Sequence, residues 1–126
     1  MVMADLDNLK TKEELSWHLV GQIEVLKTKP CRKIYMENGP NLALFYVEPG
    51  KFFLTNAACP HAKGPLEQGS IEDLGETYKI TCPLHYYSFD LTTGRSASGL
   101  HLKTYQTEIR EQELYALIPR PVSLDR

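Results

Sequence analysis

From Ser16 onward the order of apolar and polar positions is that of β structure. Short runs rich in aromatic and β-branched residues predict strands at Trp17–Gly21, Cys31–Met36, Leu42–Glu48, Lys51–Asn56, Thr77–Thr81, Thr104–Arg110 and Glu113–Ile118. Leu42-Ala-Leu-Phe-Tyr-Val47 is apolar without interruption, the pattern of a strand buried on both faces. Tyr105, Thr107 and Ile109 alternate with polar neighbours, as in a half-exposed strand. Asn38-Gly39-Pro40 reads as a turn, Glu48-Pro49-Gly50-Lys51 matches a type II turn, and Arg110–Glu113 closes the last hairpin. The pattern breaks over residues 57–76, with a second irregular patch at 83–101. Loops of that length in a small domain are usually functional or disordered. The expected fold is all-β: an antiparallel sandwich or partly open barrel. Residues 1–15 form a polar tail. Thr11 and Glu14 fit a capping box for one helical turn, with a solvated tail as the alternative, and no function is assigned to it.

Composition narrows the class. A chain of 126 residues suffices for one domain, expected over 16–120, and not for two. It is 42% hydrophobic and 24% charged, ordinary for a soluble globular protein. Net charge is −2 with acids and bases mixed, so the basic stripe of a nucleic-acid binder is missing. No apolar run approaches the roughly 20 residues of a membrane helix. The start, MVMADLDNLKTKEEL, carries acids early and resembles neither a secretory signal nor a transit peptide, so a cytoplasmic protein is expected. Three cysteines argue against a disulfide framework. In an intracellular protein, cysteines close to histidines more often bind metal or do chemistry. That puts Cys59 and Cys82 in a site and leaves Cys31 as a small hydrophobic strand residue.

The irregular segments hold the candidate chemistry. The first reads Ala58-Cys59-Pro60-His61-Ala62-Lys63-Gly64-Pro65-Leu66, and the second reads Cys82-Pro83-Leu84-His85-Tyr86-Tyr87-Ser88-Phe89-Asp90. A Cys-x-His is followed, after twenty intervening residues, by a Cys-x-x-His. Thiolates are soft donors and neutral imidazoles borderline ones. Two of each suit either one zinc or the two irons of a 2Fe–2S cluster, and the spacing of Cys and His leaves both open. His18 reads as a strand histidine and His101 as structural, since neither has a partner at ligand spacing. Tyr86 and Tyr87 either line a docking face or shield the site from water.

The residues around the four donors resemble the Rieske family, whose fingerprint is Cys-Pro-His-x-x-Gly-Pro-Leu followed by Cys-Pro-x-His-x-x-x-Phe-Asp-x-x-Thr-Gly. This chain supplies Cys59, Pro60, His61, Gly64, Pro65 and Leu66, then Cys82, Pro83, His85, Phe89, Asp90, Thr93 and Gly94. The resemblance covers roughly residues 16–118 and implies a Rieske-like fold with a cluster-binding subdomain. It implies one 2Fe–2S cluster, with Cys59 and Cys82 on one iron and His61 and His85 on the other. It further implies a one-electron carrier rather than an enzyme, served by a flavin-containing reductase. The acceptor would be an oxygenase or a nitrite-reductase-like protein, with a permanent subunit of such a complex as the alternative. A zinc-stapled binding module is the rival of another class. High-potential members carry an extra cysteine in each loop and Ser and Tyr hydroxyls near the cluster. The matching positions here are Gly64, Leu84, Tyr87 and Phe89, which place the chain with the low-potential members. The proline common in a third loop is replaced by Ser98-Gly99-Leu100-His101.

Overall fold

The structure is a computed structural model that describes residues 14–61, 63–84 and 87–125. Thr11, and with it the expected capping box, lies outside the described residues. The elements in chain order are β1 (Ser16–Gln22), α1 (Ile23–Leu26), β2 (Cys31–Met36), β3 (Leu42–Val47), β4 (Lys51–Asn56), a 3₁₀ turn (Leu66–Gln68), β5 (Ser70–Asp73), β6 (Tyr78–Thr81), β7 (Ser88–Asp90), β8 (Thr104–Tyr105), β9 (Thr107–Arg110), β10 (Glu113–Ile118) and β11 (Val122–Ser123). They form three antiparallel sheets of order β1-β10-β9, β11-β2-β3-β4-β8 and β5-β6-β7. The fold is all-β, as the pattern of apolar runs predicts.

β3 is the divider. Successive strand side chains point to opposite faces, so Leu42 and Leu44 enter one core while Ala43 and Phe45 enter another. None of the four is more than 1% exposed. β4 follows the same alternation, with Phe52 and Leu54 in the first core and Phe53 against the second. The first core fills the space between β2–β4 and the sheet of β1 and β10, through Ile34, Met36, Val20, Leu114, Ala116 and Ile118. Leu26 of α1 closes one end of it, fully buried. The second core joins β3 and β4 to the small sheet and the loops, through Leu66, Ile80, Phe89, Leu91, Leu102 and two cysteines.

Several local expectations are corrected. Thr104–Arg110 is two strands, not one. Thr104 and Tyr105 pair with β4, whereas Thr107–Arg110 pair with β10. Gln106 is the switch point, and its carbonyl accepts a 2.9 Å bond from the Leu117 amide. A bend there lets one segment serve two packed sheets, and it leaves Ile109 48% exposed. The turn after β3 also differs. The Glu48–Pro49 peptide is cis and the Gly50 amide donates to the Val47 carbonyl at 3.2 Å. This is a type VI turn over Val47–Gly50 rather than type II one residue later. Asn38 at φ 51° and Glu111 at φ 58° make the other two expected turns. β5 and β7 arise inside segments expected to be irregular. Each is short and polar, and forms because β6 offers a partner on both sides.

The double burial of β3 yields the first expected outcome. Phe45→Ala should lower stability by about 3–5 kcal/mol in chemical denaturation. Ile109→Ala should change it by no more than about 0.5 kcal/mol.

Candidate metal centre

Both donor loops are built the same way. The first leaves β4 and returns into the 3₁₀ turn. Its base is held by the Ala58–Pro65 bridge and by the Leu66 amide donating to the Ala57 carbonyl at 2.9 Å. The Cys59 amide then donates to the Gly64 carbonyl at 2.9 Å, and the Lys63 amide donates back to the Cys59 carbonyl at 2.7 Å. Lys63 takes φ 57° to make this reversal. The second loop is the connector of the β6–β7 hairpin. Thr81 pairs with Ser88, their hydroxyls 2.9 Å apart, and the Cys82 amide donates to the Tyr87 carbonyl at 2.7 Å. In each loop a cysteine amide bonds the carbonyl five residues on. The cysteine therefore sits at the loop base, and the residues two or three positions later form the tip.

Burial follows from that geometry. Cys59 and Cys82 are both 0% exposed within the second core, whereas His61 at the first tip is exposed. The two sulfurs are neighbours: burial pushes the Cys82 thiol up, the Leu84 N–H opposes this, and the hydrogen-bonded Cys59 thiol adds to the rise. The Leu84 amide donates to Cys82 Sγ at 3.4 Å. A Cβ on Gly64 would stand 2.9 Å from Cys82 Sγ and 3.0 Å from Leu84 Cγ, so only glycine lets the loops meet this closely. Tyr87, half-buried, lays its ring on His61 with centroids 4.0 Å apart and planes tilted by 37°. His85, Tyr86 and Ala62 lie outside the described residues. Among the described residues no three His, Cys, Asp or Glu gather to hold a single metal ion.

A third segment completes the surroundings. Asp90 Oδ1 accepts from the Thr92 and Thr93 amides at 2.7 and 3.0 Å, turning the chain out of β7. Gly94 at φ 80° donates to the Asp90 carbonyl and accepts from the Leu102 amide. The loop over Ser98–His101 folds back by the Ser96 amide donating to the Leu100 carbonyl at 3.1 Å. This brings Leu100 and Leu102 onto the core that holds the cysteines. The contribution of these two leucines is not visible in the motif, because it comes from a turn and not from spacing. Glu67 is likewise unsignalled: nearly buried on the 3₁₀ turn, it lies 3.6 Å from Lys33 of β2 and ties the first loop to the sheet.

The remaining candidates fall where the sequence puts them. His18 bonds Ser16 Oγ at 3.0 Å, and His101 bonds the Thr93 carbonyl at 3.1 Å. Cys31 is half-buried on β2 against the second core, its thiol pushed up by burial and then by Glu67. All three cysteines are free.

Comparison with known proteins agrees with this geometry. Residues 16–108 match the family described as the Rieske [2Fe-2S] domain. A 3-phenylpropionate/cinnamic acid dioxygenase ferredoxin subunit from Photorhabdus laumondii is 31% identical over 107 residues, covering 82% of this chain and 96% of that protein. A chain of the complex of reduced oxygenase and oxidized ferredoxin in carbazole 1,9a-dioxygenase superposes with a TM-score of 0.69 at 25% identity, covering 82% of this chain and 94% of that one. A Mycobacterium tuberculosis protein described as an NADH-dependent nitrite reductase small subunit shares the fold, with a TM-score of 0.71 at 15% identity over 82% of this chain and 94% of that one. The chain belongs to the Rieske [2Fe-2S] family. It is an electron carrier with one 2Fe–2S cluster, not a catalytic enzyme in its own right. The residues present fit that group: two adjacent buried sulfurs, one with a backbone N–H aimed at it, and an exposed imidazole two residues along the chain from Cys59. When bound, the cluster supplies one-electron redox chemistry.

Gly64 provides a check on this packing. Gly64→Ala should reduce the visible absorbance per chain of purified protein, because Cys82 Sγ or Leu84 must shift. Gly50→Ala, with nothing within 4 Å of its added Cβ, should leave it unchanged.

Proposed function

We propose that Cys59 and Cys82 hold one iron as thiolates, that His61 and His85 hold the other through imidazole nitrogens, and that residues 16–120 work as a single electron-transfer domain. The observation that carries this reading is the contrast in exposure. Both cysteines are sealed in the core while His61 stands at the surface. The sulfurs are thus kept from water, and the imidazole edge is where a redox partner comes closest. Leu84 donates to sulfur and tunes the potential through that bond. Tyr87 lays its ring on His61. The matched dioxygenase ferredoxin subunit favours an oxygenase as acceptor; a flavin-containing reductase as donor and a cytoplasmic setting complete the proposal. No helix among the described residues is long and apolar enough to cross a membrane.

Iron and sulfide analysis together with EPR tests the ligand set. Purified protein should carry two irons and two sulfides per chain and, after reduction, give the rhombic signal of mixed Cys/His ligation. One zinc and no sulfide would overturn the reading. Cys59→Ser and Cys82→Ser should each abolish the visible absorption and most of the folded signal, because metal binding is also folding energy. Cys31→Ser should preserve both.

The redox potential is a separate outcome. Phe89 is fully buried and has no hydroxyl, and the Tyr87 ring turns to His61. With the Leu84 N–H as the backbone donor to a cysteine sulfur among the described residues, the midpoint should lie near the low end of the Rieske range, about −150 mV. Voltammetry giving a positive value at neutral pH would contradict the donor argument.

A further inference from the structure

We infer that Tyr87 is a positioning residue that clamps the two ligand loops together and fixes the plane of the His61 ring. The inference rests on the reading of His61 as an iron ligand.

No covalent bond joins the loops, since Cys31, Cys59 and Cys82 are all free. Their mutual placement depends on close contacts. Gly64 at the base of the first loop meets Leu84 of the second, so tightly that an added Cβ would be 3.0 Å away. The Tyr87 ring also meets His61 of the first loop, with centroids 4.0 Å apart. The ring is well placed to act as a fixed wall. Its own carbonyl is held by the Cys82 amide at 2.7 Å, and the next residue, Ser88, is in register with Thr81 in the hairpin ladder. The inner part of the ring packs against the second core, among the residues that enclose both cysteines. Tyr87 thus touches the machinery of both loops. Its backbone fixes a cysteine on the second, and its ring fixes a histidine on the first.

An imidazole on an exposed loop tip has two side-chain torsions to fix before it presents a nitrogen correctly. A wall 4.0 Å from its face removes most of that freedom in advance. The contact is made by the ring, so the hydroxyl is dispensable. Groups that orient a ligand from behind typically change metal affinity by about 10–100-fold when removed.

The test uses the full-length holoprotein and follows iron release to an excess chelator under anaerobic conditions, alongside EPR of the reduced protein. Tyr87→Ser should release iron about tenfold faster and shift the g values. Tyr87→Phe should match the parent in both. Tyr87→Leu keeps the apolar packing against the core and guards against a folding defect; it should release iron faster than Tyr87→Phe and show altered g values. Parent-like release and g values in Tyr87→Leu would overturn the inference, as would Tyr87→Phe behaving like Tyr87→Ser. A parent protein without the mixed Cys/His signal would instead mean that the ligand assignment itself has failed, before any variant is compared.

Discussion

The structure depends on one strand having no solvent face. Leu42, Ala43, Leu44 and Phe45 are all buried, two on each side of the sheet. A strand in that position must be covered twice. On one side the cover is another sheet, β1 with β10, which makes an ordinary sandwich. On the other side the available elements are short: a three-stranded sheet of at most four residues per strand, a 3₁₀ turn and three loops. Such pieces bury too little apolar surface to hold themselves in place by the hydrophobic effect alone. The cysteines enter here, since Cys59 and Cys82 belong to the very core that β3 requires. Metal binding in such a setting completes a core as well as creating a redox centre.

Under the proposed ligand set, the same arrangement leaves the imidazole edge for the partner. Each cysteine lies at a loop base closed by its own amide, so its sulfur points into protein. Two residues further along, the first loop has already reached solvent at His61. If these residues are the donors, as proposed, chain geometry sorts them by depth, soft thiolates inside and an imidazole outside. Electron transfer needs the opposite of a catalytic pocket. It needs a centre close to the surface and shielded from water, and a rigid surround that changes little between oxidation states.

Much of this was legible in the sequence, and the exceptions have physical reasons. The unbroken apolar run of β3 gave its double burial directly, because nothing but a central strand tolerates it. The structure buries Cys59 and Cys82 in one core and leaves His61 exposed, a contrast in depth that the motifs do not state. The misses are of three kinds. β5 and β7 are made of residues such as Ser70, Glu72, Asp73 and Ser88, with little strand preference of their own; pairing with β6 decides their conformation. The break at Gln106 is invisible in a run of alternating residues, since the pattern continues while the partner strand changes. The roles of Leu100, Leu102 and Glu67 come from loops that fold back, and no spacing rule encodes that. Tyr87 was ambiguous between docking and shielding; the structure gives its ring a definite neighbour in His61.

The closure of the second loop by the Cys82 amide on the Tyr87 carbonyl carries a consequence for how such a protein diversifies. The ladder of β6 and β7 ends in that bond, so the register of the hairpin is set before the chain enters the tip. The side chains of Pro83 and Leu84 can then vary without shifting the strands. A carrier built this way can change its electrochemistry and its choice of partner through a handful of tip residues while its scaffold stays the same.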